Sequence, residues 1–233
     1  MRLVSLLLTL IFLLPGCDPE ESRATPGTPL AALNQLDVRE WDNDPAYERA
    51  AFGPAWADID RNGCDQRNDI LRRDLEDVKI RPGSRGCVVE TGKFQDPYDA
   101  RVSATFRRGK TDVDIDHVVA LKNAWLTGAG DWSSGTKGHP GMRDRLANDP
   151  LNLIAVWGSI NLRKSDSDFA AWQPNDNRCG YAVRQISVKV KYGLSVTKAE
   201  KKALGETLSA AYCASLKPQL LADAEVAPPK PAR

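Results

Sequence analysis

The chain has 233 residues, of which 42% are apolar and 27% are charged, with a formal net charge of +1. These values are ordinary for a globular protein of one or two domains, and they exclude a collagen-like chain, a wholly disordered chain and a membrane protein with several spans. Residues 70–233 nevertheless hold 26 basic and 19 acidic side chains. Charge alone favours ordinary solvated faces, and a surface for a polyanion is the alternative.

The N-terminus predicts export. Residues 1–17 begin with Met1-Arg2, continue with an apolar run that is short for a membrane span, and end in Leu-Pro-Gly-Cys17. That end resembles a bacterial lipoprotein cleavage site, so Cys17 is the predicted lipidation residue. Release after ordinary cleavage and retention as an uncleaved anchor are the alternatives. We therefore expect a membrane-anchored lipoprotein or a secreted or periplasmic protein, with membrane contact only through the lipid anchor.

The composition divides the exported chain into three parts. Residues 18–36 predict a flexible tether, residues 37–217 one folded domain, and residues 218–233 a disordered tail rich in proline. In an exported protein the four remaining cysteines indicate two disulfides. The pairing that closes the shorter loops is favoured, and a four-cysteine zinc site is disfavoured because the chain has no C-x-x-C pair. This pairing joins Cys64 to Cys87 and Cys179 to Cys213.

Apolar spacing predicts an α+β fold that is rich in helices. The expected helices cover residues 67–78, 120–126, 159–171, 181–192 and 197–212, and the expected short strands cover residues 87–90, 101–106, 113–119 and 151–156. Ser159 and Thr197 are the expected N-caps, and Glu200 completes a capping box with Thr197.

The residues that carry chemistry lie between residues 112 and 172. Asp116-His117 closes one predicted strand, Asn152 lies at the next, and Asn161 and Lys164 follow on a helix. Two strands and a helix can bring a carboxylate, an imidazole and amide oxygens to one point. Adjacent residues of a regular strand face opposite ways. We therefore expect the first strand to stop or bulge at Asp116.

The succession of D-H, N-D-P-x-N-L and N-x-x-K resembles the HNH nucleases, which are built on a ββα-metal core. The resemblance is to the variant whose last motif residue is Asn, found in small exported bacterial proteins and in modification-dependent restriction enzymes. It implies a single helix-rich domain around the ββα core. It also implies a metal-dependent endonuclease that hydrolyses phosphodiester bonds of DNA, with RNA as a further substrate.

The resemblance also implies a role for each matching residue. His117 is the catalytic general base, and Asn152 completes the catalytic set by bracing the loop and orienting the histidine. Asp116 and Asn161 are the metal ligands. One carboxylate and one amide oxygen leave coordination positions for water and substrate, which suits Mg²⁺, with Mn²⁺ as the alternative. We expect substrate phosphates to meet Lys164, Arg163 and Arg145, and a solvated surface position is the alternative for the lysine.

A second motif lies upstream. Asp58-Ile-Asp60-Arg-Asn62-Gly-Cys64, with Asp69 at the twelfth position, resembles a calcium loop of the EF-hand type. Cys64 would supply its backbone carbonyl, and an aspartate stands where glutamate is usual. If Cys64 is bridged, the favoured alternative is an Asx-rich turn without calcium.

A catalytically silent binding module on the cell surface, for nucleic acid or wall polymer, is the alternative function. The intact Asp116-His117 pair argues against it. The oligomeric state stays open.

Overall fold

A computed structural model describes residues 27–41, 46–133, 135, 141–216 and 218–222. Helices and two small antiparallel sheets make up these parts of the chain, which confirms the α+β prediction. The helices are α1 Pro29–Gln35, α2 Gln66–Asp74, α3 Leu121–Leu126, α4 Met142–Asn148, α5 Gly158–Lys164, α6 Arg178–Tyr192, α7 Lys198–Ser209 and α8 Ala211–Ser215. The strands are β1 Glu76–Ile80, β2 Val89–Gln95, β3 Ser103–Arg107, β4 Val113–His117 and β5 Leu153–Trp157. Within the described ranges, no helix is both long enough and apolar enough to cross a bilayer.

Strands β1, β2 and β3 form one sheet, and β4 pairs with β5 in the other. Helix α2 lies between the sheets, where Ile70 and Leu71 share an apolar core with side chains of both. The helix predicted over residues 67–78 therefore ends early. Leu75 is already extended, and the next residues pair with β2. The apolar spacing fitted a longer helix, but strand pairing determines the structure here.

The helical side of the molecule surrounds a second core built on α1, α6 and α7. The predicted cap of α7 is confirmed, because Thr197 Oγ1 accepts the Glu200 N–H at 3.0 Å. The Glu200 carboxylate turns inward instead of closing a capping box and meets Lys189 Nζ at 3.0 Å. The chain leaves the helical conformation at Ala210, so the helix predicted over residues 197–212 is two helices.

The folded body extends beyond both predicted boundaries. Helix α1 occupies residues of the predicted tether 18–36, and its Leu33 is only 1% exposed. At the other end, Leu220 and Leu221 pack against the core, and the Leu221 N–H donates to Ser187 Oγ at 3.0 Å. Residues 29–36 and 218–222 therefore belong to the body. The predicted signal peptide, Cys17 and residues 223–233 lie outside the described residues.

Two disulfides fasten the body, and their pairing is the one favoured from the sequence. Cys64–Cys87 connects the loop before α2 to the start of β2. Cys179–Cys213 connects the first turn of α6 to α8. All four predicted cysteines are thus consumed in bridges, which removes the zinc alternative. A bridge of this kind stabilises a small exported domain by about 2–4 kcal/mol.

Candidate active site

Strands β4 and β5 and helix α5 form a ββα unit. The strands pair antiparallel, with Asp116 opposite Ile154, and α5 follows β5 directly. Helix α5 begins at Gly158, where a Cβ atom would lie 2.3 Å from Asp112 Oδ1, so a larger residue would displace the Asp112 carboxylate. The predicted cap at Ser159 is wrong, because the helix starts one residue earlier and ends at residue 164.

Side chains on one face of α5 bond to carboxylates on one face of β4. Asp114 and Asp116 are two residues apart and so project on the same side of the strand. Asn161 Nδ2 donates to Asp114 Oδ2 at 3.3 Å. One turn later, Lys164 Nζ donates to Asp116 Oδ1 at 3.0 Å and to the His117 carbonyl at 2.8 Å. The helix thus places an amide and an ammonium group over two carboxylates.

Asp116 is held by two protein donors. Its Oδ1 accepts the lysine bond, and its Oδ2 accepts the Tyr98 hydroxyl at 2.7 Å. Burial raises the pKa of the Asp116 carboxyl, and Lys164 and the Tyr98 hydroxyl oppose that rise. Lys164 is itself fully buried. The expectation that Lys164 contacts substrate phosphate, or lies on a solvated surface, is therefore wrong.

His117 is the last residue of β4 and pairs in regular register with Leu153, so the predicted stop or bulge at Asp116 is wrong. Its imidazole lies on the face opposite Asp116, where Nε2 is 2.9 Å from the Ala147 carbonyl oxygen. A carbonyl only accepts hydrogen bonds, so Nε2 carries the proton and Nδ1 keeps its lone pair. Burial lowers the pKa of His117 to about 3, against the raising effect of the Ala147 bond. The ring is therefore neutral near pH 7.

Asn152 is fully buried, and its side chain is bonded to backbone groups. Its Oδ1 accepts the Val119 N–H at 2.8 Å, while its Nδ2 donates to the carbonyls of Val119 and Leu146. This side chain therefore joins the segment after His117 to the end of α4. Ala147, the acceptor of the His117 bond, is the neighbour of Leu146. These contacts fit the predicted bracing role of Asn152, and its part in catalysis stays a prediction.

His117 stands between two cavities. The larger cavity holds about 270 Å³ and is polar; its charged and amide side chains are Arg49, Asp114, Asp116, Asn161 and Asp166, and His117 also lines it. The smaller cavity, of about 40 Å³, lies among His117, Arg49, Phe52, Gly53, Pro54, Ala55, Trp56, Leu121 and Ala147. The structure therefore brings three predicted site residues, Asp116, His117 and Asn161, to one cavity.

The larger cavity suits a hard divalent cation. Asp116, Asp114 and the Asn161 amide line it, and Mg²⁺ and Mn²⁺ prefer such oxygen ligands. Each Asp116 oxygen accepts a bond from one protein donor, Lys164 or Tyr98, and has a second lone pair for a metal. Nowhere in the described ranges are three His, Cys, Asp or Glu side chains grouped as a metal site. A metal here would draw on the Asn161 amide and on water as well.

The other predicted phosphate ligands do not reach the cavities. Arg163 and Arg145 are exposed, yet neither lines either space. Sequence reasoning missed Arg49 and Trp56, which line them. No local pattern marks these two residues, because they come to His117 only when the 49–56 segment docks on α4.

The predicted calcium loop is closed by its own hydrogen bonds. Asp58 accepts the N–H groups of Asn62 and Gly63 at 3.0 and 2.9 Å. The Asn62 amide donates to Asp60 and to Asp69, both at 2.9 Å. Cys64 is bridged to Cys87. This is the arrangement of the Asx-rich turn, and calcium binding by the loop stays a prediction.

The family model described as the C-terminal domain of the GmrSD restriction endonucleases matches residues 65–207. The chain belongs to this family. The matched range of the GmrSD C-terminal domain, a nuclease-related domain, contains the whole ββα unit. It begins after Arg49, Trp56 and the calcium-like motif's first residues, so part of the lining around His117 comes from outside the matched range.

One relative of this GmrSD-family chain is an uncharacterized secreted protein of Arthroderma benhamiae. It is 39% identical over 186 residues, which cover 78% of this chain and 84% of the relative. The relative is fungal, whereas the motifs resemble those of small exported bacterial proteins. No solved structure matches the chain.

Proposed function

We propose that the protein is an exported, metal-dependent endonuclease of the HNH type that hydrolyses phosphodiester bonds of DNA. The observation that carries the proposal is the fixed state of His117. The Ala147 carbonyl holds Nε2 in its protonated form, so Nδ1 is the nitrogen that keeps its lone pair, in a neutral ring that lines the polar cavity. Membership of a family described by restriction endonucleases supports the same chemistry.

In the proposed reaction His117 Nδ1 takes a proton from water while the water oxygen bonds to phosphorus and the bond to the leaving oxygen breaks. The leaving oxygen then takes a proton from solvent water and departs as an alcohol. The ring becomes an imidazolium, whose Nε2–H keeps its bond to the Ala147 carbonyl. Asn152 keeps the α4 end in place, so the acceptor of that bond does not move away. The base is thus oriented before substrate binds, which lowers the entropic part of the barrier.

Asp116 and Asn161 are the proposed ligands of Mg²⁺, with Mn²⁺ as the alternative. A divalent cation bound there would supply positive charge to the phosphate oxygens. Tyr98 and Lys164 fix the Asp116 carboxylate, since each donates to a different oxygen of it. The two donors therefore keep the ligand in one orientation, as supporting residues around metal ligands do.

Export is the second part of the proposal. The apolar run before Cys17 and the two disulfides support it, because disulfides persist mainly outside the cytosol. The secreted fungal relative agrees with this placement. Lipidation at Cys17 is the proposed anchor, and mass spectrometry of the mature N-terminus tests it directly.

Plasmid DNA incubated with the purified protein tests the activity, with Mg²⁺, with Mn²⁺ or with chelator. His117→Ala and Asn161→Ala run alongside. We expect cleavage that needs the metal and that both variants lose. Equal cleavage by wild type and His117→Ala would overturn the assignment of the base. Binding of nucleic acid or wall polymer without cleavage of DNA or RNA in any metal would favour the silent binding module.

A further inference from the structure

Arg49 lines the two cavities on either side of His117. It lies at the start of a short 3-10 helix, Arg49–Phe52, and its side chain is exposed. It is the one residue besides His117 and Leu121 that lines both cavities. Among the described lining residues it is also the one lysine or arginine.

The segment that carries Arg49 is firmly docked. Phe52 is 1% exposed, and the Ala51 carbonyl accepts Arg143 Nε at 3.2 Å. Gly53 has a φ of +75°, and a Cβ atom there would lie 1.7 Å from Asp144 Oδ1. Only glycine tolerates both conditions. Arg49 therefore extends from a fixed base, and its guanidinium carries five N–H donors in a planar arrangement.

The negative charge of the larger cavity means that an anionic substrate needs a cationic side chain to bind there. Asp114, Asp116 and Asp166 make it negative, whereas a phosphodiester is an anion. Lys164 neutralises part of that charge but is buried and already bonded. Arg163 and Arg145 do not line the cavity. A guanidinium binds phosphate through paired N–H donors and is the side chain best shaped for this contact.

We propose that Arg49 binds the phosphate that is cut, and that the segment of residues 49–56 is the substrate-binding wall of the site. This inference rests on the proposed function. It assigns a substrate contact to a part of the chain that precedes the family match at residues 65–207. The wall would bring the phosphate to the polar side of His117, where water and the base meet.

The test compares Arg49→Gln and Arg49→Lys with Arg81→Gln. Arg81 is an equally exposed arginine that lines neither cavity and only pairs with Glu90 at the surface. Binding of a fluorescent DNA duplex is measured by anisotropy in chelator over a salt series, in the His117→Ala background. Cleavage kinetics in Mg²⁺ are measured with His117 intact. Thermal melts confirm that each variant is folded.

We expect Arg49→Gln to weaken binding by about 10- to 100-fold, because a bond to a charged group contributes about 1.5–3 kcal/mol and each 1.4 kcal/mol is tenfold. The slope of log affinity against log salt should fall by about one phosphate contact. Arg49→Lys should recover part of the affinity, and Arg81→Gln should bind like the wild type.

Two results would overturn the inference while leaving the nuclease in place. In one, Arg49→Gln matches Arg81→Gln in affinity, salt slope and KM. In the other, Arg163→Gln or Arg145→Gln loses the affinity that Arg49→Gln keeps. A wild type that neither binds nor cuts nucleic acid would overturn the proposed function together with the inference.

Discussion

The indole of Trp56 and the imidazole of His117 lie nearly parallel, with ring planes 12° apart and ring centres 6.3 Å apart. Trp56 holds this position with a φ of +61°, a backbone region that large side chains rarely adopt. Its carbonyl accepts the Gln66 N–H at the start of α2. Strain of this kind persists where the surrounding structure requires it and is frequent at functional sites. Trp56 is therefore placed to fix the ring plane of His117.

Substitutions of Trp56 test what its ring contributes to the activity of the site. Trp56→Ala should lower kcat by about 10- to 100-fold, the scale of loss that follows a misplaced catalytic group, with a smaller change in KM. Trp56→Phe keeps an aromatic face and should stay near the wild type. Steady-state cleavage of a DNA duplex measures both. Equal kcat values for Trp56→Ala and the wild type would show that the ring does not position His117.

The buried ion pair of Lys164 and Asp116 gives a stability prediction. Lys164→Met leaves the Asp116 carboxylate buried without its cation, and losing one partner of such a pair costs about 3–5 kcal/mol. Lys202→Met is the control, because Lys202 forms a surface pair with Glu206 whose loss costs under about 1 kcal/mol. Urea unfolding measures both variants. A Lys164→Met protein as stable as Lys202→Met would contradict the buried pair.

The sequence predicted which residues come together at the cavity better than it predicted what surrounds them. The pairing of the cysteines and the convergence of Asp116, His117 and Asn161 depend on spacing within the motif and on the ββα unit, and both are local. Lys164 was misplaced because its distance from Asn161 fixes only the helix face. Whether that face meets solvent or the Asp116 carboxylate depends on how α5 packs on β4.

Arg49 and Trp56 show the limit of local reading more clearly. Their segment reaches His117 because it packs against Arg143 and Asp144 of α4. These two residues lie nearly one hundred positions further along the chain. No periodicity encodes a contact of that kind. The early end of α2 has a similar origin, since residues 76–78 fit a helical pattern but lie in β1, which pairs with β2.

The Asn152 amide nitrogen donates two hydrogen bonds, and its replacement gives a stability prediction. Its Nδ2 faces two carbonyls, those of Val119 and Leu146. Asn152→Ala should cost about 2–4 kcal/mol of unfolding free energy, because buried groups lose their partners. Asn152→Asp should cost at least as much, since it sets an oxygen against those carbonyls. The exposed Asn34→Asp is the control. Urea midpoints unchanged in both Asn152 variants would contradict the positioning role.

Asp69 predicts how stability depends on pH. Burial raises the pKa of its carboxyl from 3.8 to about 6, although the Asn62 amide and Arg72 act to lower it. The folded protein therefore binds this proton more tightly than the unfolded chain. The stabilisation by Asp69 is complete below about pH 3.8 and is lost as the pH rises through about 6.

Asp69→Asn removes this titration. In chelator, its urea midpoint relative to the wild type should rise between pH 4 and pH 7 and then level off. A difference that is flat with pH would contradict the raised pKa.

A calcium titration at pH 7.5 separates the two interpretations of the loop, a calcium site or an Asx-rich turn. A ligand that binds the folded state raises stability with its concentration, so a calcium-dependent rise in the wild type that Asp69→Asn lacks would favour the calcium loop. The bonds already made by Asp58, Asn62 and Asp69 lead us to expect no rise.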